Sequence, residues 1–524
     1  MPIVQQGSIN TTALVVPDLY VQIVPPQNLV LNGVPTNVLG IVGSASWGPA
    51  NQPVLVATMA DYARTFGPVV ARKFDMGTQV AIAVQQGASN FRCVRVTDGS
   101  DVAAAYAMFY AAGAYPIQFV ARYSGALGNQ IGVAIAAGSQ AGTWRLTLTL
   151  PGLTPEQFDN VASPTPAAFW ANLANAVNQG ASALRGPSQL VVALLGTALL
   201  TAPAYISNQN LFGGTDGASG VSAATLVGQD TLPRRGMYAL RGQGCSLAFL
   251  ADADDPTQYS VQAAFALSEG LYVIATGPSG DSIANAIVAK QAAGLDIYAV
   301  MLMFGDWPYW NDQVNGSIRL VSPQGFAAGR LANLSPEQSS LNKPLYGVIG
   351  TQKSGTPGSG QNASYSSAEL ALLLGNGIDV IANPQPGGTY WGVRGGHNSS
   401  SNAATNGDNY TRLTNYIAST LAAGMGQFVG QVINATLFQR IRATQLSFLQ
   451  NLLGQGILGS ADGSLPFSVV CDTSNNPVAR TSLGYVQSDA QIQYQAINEK
   501  FIVNMEGGQT VQVSRQTLPS GQVA

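Results

Sequence analysis

The stretch "DADDP" sets Asp252, Asp254 and Asp255 directly after the apolar run "CSLAFLADA". Carboxylates at the C-terminal end of a parallel strand are where α/β enzymes place their chemistry, and clustered oxygens can hold Mg²⁺ or Ca²⁺. The competing reading is that Asp255 caps a helix beginning at Pro256; no further ligand can be placed beside the cluster from sequence. "ATGPSGDSIANA" (275–286) joins an apolar run to a helical one and so imitates a phosphate loop at a helix N-terminus. It lacks the lysine and the full glycine pattern of a P-loop, and Asp281 or Ser282 acting as a helix cap accounts for it. In "GVPTNVLGIVGSASWGPAN" (33–51), Gly40, Gly43 and Gly48 match neither a dinucleotide fingerprint nor a P-loop, and Trp47 would crowd a pyrophosphate. His397 is the single histidine, so a Ser-His-Asp triad would need it as base, yet no G-x-S-x-G elbow occurs. Cys93, Cys245 and Cys471 are odd in number and lack the paired spacing of a zinc site or disulfide framework. They read as small core residues. The sequence therefore predicts no enzyme, cofactor or metal site.

Composition points elsewhere. Only 9% of residues are charged, against about 25% in an ordinary soluble protein. The 23 basic and 26 acidic residues nearly balance at a net charge of −3, which implies no basic surface for nucleic acid. Such a chain has little charge repulsion to hold copies apart. From Leu413 to Gln439 there is no charge at all, but Thr, Asn, Ser and Gln interrupt the run. No stretch reaches the ~20 predominantly apolar residues of a membrane span, so no membrane insertion is expected. "MPIVQQGSIN" lacks the basic start and apolar core of a signal peptide. Self-association, after synthesis in a reducing cytoplasm, is the prediction.

The elements that would position these residues predict a multidomain mixture of α/β and α+β. Residues 1–30 read as an extended arm in which "LYVQIVPP" is a short strand closed by prolines. Residues 31–114 begin an α/β region with strands at "NVLGIVGSA", "PVLVAT" and "FRCVRV", and helices at "MADYARTFG" and "DVAAAYAMFYAAGA". Residues 115–215 change texture to antiparallel alternation and predict an inserted β-rich domain containing one helix, "TPAAFWANLANAVNQG". Residues 216–400 continue the central α/β domain, with "CSLAFLADA", "LYVIATG" and "IYAVMLMFG" as strands of parallel-sheet type. Residues 401–506 predict helices followed by a β-hairpin, and after Gly507-Gly508 the alternating run "TVQVSR" lies in a C-terminal arm at 507–524.

Two features concern assembly. The nearly uncharged strands "LYVQIV" and "TVQVSR" are the kind of open edge that proteins usually block. They make sense if a neighbouring subunit adds them to a sheet; the alternative is that each folds back on its own chain. In "INATLFQRIRATQLSFLQNLLGQG", Arg440 and Arg442 are the only charges. Two residues apart on a helix they diverge, so one partner meets one of them. Solvation, an internal ion pair or an acidic inner partner would each account for them.

The block "GVPTNVLGIVGSASWGPANQPVLVATMADYARTFGP" resembles the opening of tail sheath proteins of contractile-tailed, myovirus-type bacteriophages, including their "VGxAxxGPxNxPV" turn. The likeness continues through "FRCVRVTDG", "FGGTDGASG", "GDWPYW", "SPEQSSLNKPL", "GIDVI" and "FIVNMEGGQTV". The resemblance implies a structural virion protein that polymerises around a tail tube and contracts to drive it through the host envelope. It implies an inner domain built from both chain ends, an inserted outer domain, and arms that exchange strands between subunits. Here the arms would be Tyr20, Val21, Gln22, Ile23 and Val24 with Thr510, Val511, Gln512 and Val513. The accepting sheet would hold Ile492, Tyr494, Phe501, Ile502 and Val503. Arg440, Arg442 and Lys500 would face the tube. Further copies of the chain, the tail tube protein, and baseplate and tail terminator proteins are the implied partners. The phage tail, assembled in the host cytoplasm, is the implied location. Two other readings stay open at this stage: a cytoplasmic α/β enzyme or nucleotide- or metal-binding protein using "DADDP" or "TGPSG", and a non-contractile tube or shell component.

Overall fold

The computed structural model describes residues 3–6, 20–23, 31–111, 113–182 and 184–509. Its body is organised on one six-stranded sheet. The strands are β1 (Leu39–Gly43), β2 (Pro53–Val56), β3 (Phe91–Arg95), β4 (Leu247–Leu250), β5 (Tyr272–Thr276) and β6 (Val300–Met303). They lie in the order β6-β5-β4-β1-β3-β2, all parallel to their neighbours except the edge strand β2, which runs against β3. In β1, β4, β5 and β6 every residue is buried. Uninterrupted apolar strands require cover on both faces, and helices supply it.

On one face lie α1 (Met59–Phe66), α2 (Met76–Gln85) and a later helix, Gln324–Ala332, sharing a core of Tyr62, Phe66, Val80, Ile82, Phe326 and Leu331. Gly329 permits the close approach of Gln324–Ala332 to α2, since a Cβ there would stand 2.6 Å from the Ala83 Cα. On the other face α3 (Tyr259–Glu269) and α4 (Ile283–Ala292) share a core with Tyr259, Phe265, Leu226, Leu240 and Ile378.

Residues 105–210 form two further sheets around a separate core containing Phe119, Phe158, Trp170 and Leu146. One sheet has four strands, the other three, and the helix Pro166–Gln179 packs with them. The helix expected at "DVAAAYAMFYAAGA" is instead a strand, Ala105–Met108. Tyr106 pairs with Phe119 and Met108 with Ile117, while Ala105 exchanges backbone bonds with Phe212. Burying Met108 across these pairings outweighs the helical preference of an alanine-rich stretch.

The chain enters and leaves this unit through two segments that bond to each other, Asp98 to Gly217 and Val102 to Thr215. Beside that ribbon the buried guanidinium of Arg95 donates to the carbonyls of Gly48 (2.7 Å), Ser124 (2.8 Å) and Asp216 (3.1 Å). The Asp216 carboxylate in turn holds Arg72 at 2.6 Å and the Ala126 amide. Burial pulls the Arg95 pKa down, partly opposed by Asp101 and Asp216.

The C-terminal part adds α5 (Asp408–Met425) and α6 (Ala435–Gly454), followed by an antiparallel pair, β7 (Phe467–Val470) and β8 (Asp489–Ile492). Their core joins Leu413, Ile417, Phe448, Leu449, Leu452, Phe467 and Val469 to Leu31, so the segment leading into β1 packs on the C-terminal helices. β8 pairs with β7, and residues 510–515 lie outside the described residues. The ladder closes where the Gln493 N–H donates to the Pro466 carbonyl at 2.7 Å. Proline has no N–H to continue it, so Tyr494 falls outside the strand, and Phe501, Ile502 and Val503 belong to no strand of this chain.

Replacing Arg95 with methionine should leave three buried carbonyls short of a donor. We expect a loss of roughly 2–4 kcal/mol in chemical denaturation, with proteolysis accelerated first at the 97–104 and 211–218 crossings. An unchanged denaturation midpoint would show that the junction does not depend on this residue.

Candidate assembly site

In an open α/β sheet ligands bind outside the strand C-termini where the strand order reverses, here between β4 and β1. That crevice is filled by the chain itself. Asp252, buried and in a left-handed conformation (φ 53°), accepts from the Phe74 amide (3.1 Å), Gln79 Nε2 (2.8 Å) and the Ser322 amide (3.3 Å). Burial pushes its pKa up, and the hydrogen bonds from Ser322 and Phe74 oppose that. Its own amide donates to Gln324 Oε1. Asp254 is taken by Lys73 at 2.9 Å, and Asp255 accepts from the Thr257 amide at 2.9 Å as the cap of a short 3₁₀ turn starting at Pro256. The three carboxylates thus each have a separate structural partner, and among the described residues no cluster of three metal-ligating side chains forms.

The phosphate-loop imitation is filled in the same way. Gln352 Oε1 sits where an anion would, accepting from the Gly280 amide (2.8 Å), the Trp307 amide (3.1 Å) and Ser279 Oγ (3.2 Å). Ser282 caps α4 by accepting from the Asn285 amide. The turn after β1 is packed shut as well. A Cβ at Gly43 would stand 2.9 Å from Met76 Cβ, and Gly48 (φ 94°) leaves only 2.5 Å to the Thr65 carbonyl. Trp47 is buried edge-on against Tyr123 in the core of the 105–210 unit. His397 Nε2 lies 3.0 Å from Glu499 Oε1, and its backbone N–H donates to buried Asp379. It fastens the segment after β8 to the loop before α5. Cys93 and Cys471 are buried and Cys245 partly so. Burial raises the Cys93 thiol far above its ordinary pKa, and that of Cys245 to about 12.

The unpartnered features lie at the chain ends. Tyr20–Ile23 pairs in parallel with Ile3–Gln6, with Tyr20 opposite Ile3 and Ile23 opposite Gln6, and these two strands form a sheet of their own. Val24 and Thr510, Val511, Gln512 and Val513 lie outside the described residues. In the β7–β8 pair, the bond from Gln493 to Pro466 sets the phase of the ladder, so Ala490 and Ile492 turn their backbone groups outward. On the opposite edge, Arg442 Nε donates to the Val469 carbonyl at 3.1 Å. Among the described residues the β8 edge therefore has no backbone partner, where the β7 edge is partly closed. Alternation marks β8 in the sequence, but which edge of the pair α6 covers depends on tertiary packing.

Ile492 and Tyr494 pack against the C-terminal core, and Tyr494 accepts from Thr414 Oγ1 and meets the ring of Tyr410. Beyond Glu499 the chain turns apolar and exposed, with Phe501 82%, Ile502 80%, Val503 71% and Met505 89% accessible. Arg440 donates to Gln431 and lies over the ring of Phe428, while Lys500 is exposed. The structure thus separates Arg440 from Arg442, as their spacing on α6 requires, and gives each an uncharged hydrogen-bond partner.

No protein-family model matches the chain and no curated protein is detectably similar to it. Solved structures are. A sheath tail protein from Desulfitobacterium hafniense is 15% identical with a TM-score of 0.58, over 86% of this chain and 92% of its own. A sheath tail protein from Listeria innocua is 14% identical with a TM-score of 0.59, over 85% and 90%. The sheath of an extracellular contractile injection system, in its contracted state, is 12% identical with a TM-score of 0.53, over 95% and 98%. Along nearly its whole length, this chain has the tail-sheath fold.

Proposed function

We propose that this protein is the subunit of a contractile tail sheath, which polymerises around a tail tube and shortens to drive it through a cell envelope. The observation that carries this reading is the match over 85–95% of the chain to sheath structures, one of them contracted. The filled crevice at the β4–β1 switch point favours a structural role over the enzyme reading.

In this account residues 1–30 and 507–524 are exchanged arms. Residues 31–114 and 216–400 form the body, 115–215 face outward, and 401–506 face inward. A two-stranded ribbon such as Ile3–Gln6 with Tyr20–Ile23 is marginal alone, and a neighbour's strand would stabilise it. The accepting edge is that of β8, at Ala490 and Ile492, and residues 510–513 supply a strand to it. Lys500 and one of the diverging pair Arg440 and Arg442 face the tube. The particle also meets baseplate and terminator proteins and belongs to a phage-like tail assembled in the host cytoplasm. Contraction is a rigid-body rotation of subunits about strand-linked joints, driven by a lower-energy packing of the same subunits.

Deleting residues 1–26 should leave a folded chain, with unchanged far-UV circular dichroism above 200 nm, that no longer forms large particles in sedimentation velocity. Normal assembly by the truncated chain would remove the arm from the account. Ala490→Pro deletes an outward N–H without breaking the β7–β8 ladder. It should likewise abolish assembly while the monomer stays folded; particles of ordinary size would show that strands are not added at β8.

A further inference from the structure

A cavity of about 210 Å³ lies where three parts of the chain meet. Val34 and Pro35 come from the stretch leading into β1, Cys245 and Glu269 from the body, and Asn415 and Ser419 from α5. The walls are held by bonds of their own. The Val34 amide donates to Thr420 Oγ1 at 3.2 Å, which fastens the lead-in to α5. Just before it, Gly33 lies so close to Tyr416 that a Cβ there would overlap the tyrosine hydroxyl.

Both charged groups at the cavity are already engaged. Glu269 accepts from Arg241 (2.6 Å) and from the Gly242 amide (3.0 Å), while Arg412 donates to the carbonyls of Leu334, Ser335 and Gln338. Asn415 is different. Its Nδ2 is buried and has no hydrogen-bond partner among the described residues. A buried amide left unpaired carries its full desolvation cost, and a ligand that pairs with it recovers that cost. An apolar cavity of about 150 Å³ admits benzene, so this one has room for a six-membered ring with a short polar substituent. A carboxylate in it would meet Glu269 and an ammonium would meet Arg412. Either ion would lose its water without a free counter-charge.

We propose that this cavity binds a small neutral carboxamide, with its apolar body against Val34 and Pro35 and its amide paired with that of Asn415. Such a ligand touches the lead-in, the body and α5 at once, and so ties the C-terminal helices to the central sheet. The site does not depend on the sheath reading, and its failure would leave that reading to its own assembly tests.

The probe is benzamide, titrated into the full-length chain and followed by saturation-transfer difference NMR. Saturable transfer to its ring protons is expected. Toluene, which has the ring without the amide, should bind more weakly by about three- to tenfold. Asn415→Leu keeps the side-chain volume and sacrifices no bond at Nδ2, so the variant should melt no lower than the native chain. It should bind benzamide about three- to tenfold more weakly and no longer prefer it to toluene. Ser419→Phe sets a ring in the cavity and should abolish binding of both. Absence of saturable transfer from the native chain, toluene bound as tightly as benzamide, or benzamide affinity unchanged by Asn415→Leu would each overturn the proposal.

Discussion

The constraint on which the molecule depends is its shortage of charge. It has 23 basic and 26 acidic side chains in 524 residues, and many of them are used inside. Arg412 is buried against the carbonyls of Leu334, Ser335 and Gln338. Lys290 is buried against those of Asn376 and Ser399. Arg241 holds Asp230 and Glu269, and Arg319 holds buried Asp312. Charges spent as internal ties are not available to keep surfaces apart. Among the described residues Phe501, Ile502, Val503 and Met505 are left exposed, where an isolated soluble protein would cover such a patch.

How much of this was legible in the sequence depended on how local the cause was. The runs "CSLAFLADA", "LYVIATG" and "IYAVMLMFG" announced β4, β5 and β6, because a strand buried on both faces has no room for polar alternation. Ser282 as the cap of α4 was legible, since that cap is satisfied within a single turn. That β1 and β3, more than 150 residues earlier, complete the same sheet was beyond local pattern. Ala105–Met108 was misread for the same reason, since its pairing with Ile117–Ala121 and with Phe212 is tertiary. Asp252 and the "TGPSG" loop read as possible chemistry and proved to be occupied by the chain itself, and the residues that occupy them, Gln79, Ser322 and Gln352, are distant in sequence. At the chain ends, alternation revealed β8 but not its partner, which Pro466 fixes from 27 residues away. Under the proposed assembly the arms would pair with a neighbouring subunit, and neither the sequence nor a single copy supplies that pairing.

The architecture suits a part that moves without unfolding. The 105–210 unit is tied to the sheet by a paired ribbon and by Arg95, so those two move together. In the proposed sheath, strands shared between subunits would let a joint swing while they stay paired. Packed cores do not deform continuously, and a large change of particle shape is then achieved by rotating whole subunits about such joints. Nothing in this scheme requires nucleotide at the subunit, in keeping with a switch-point crevice filled by Asp252 and its partners.

The central claim is that copies of this chain build a hollow contractile-type sheath, and electron microscopy of the purified full-length protein, across a series of concentrations and salt, tests it most directly. The account predicts long hollow tubes with regular cross-striations, formed by the protein alone or on addition of its cognate tube. A field of single particles that stays monomeric at high concentration and with the tube present would contradict it.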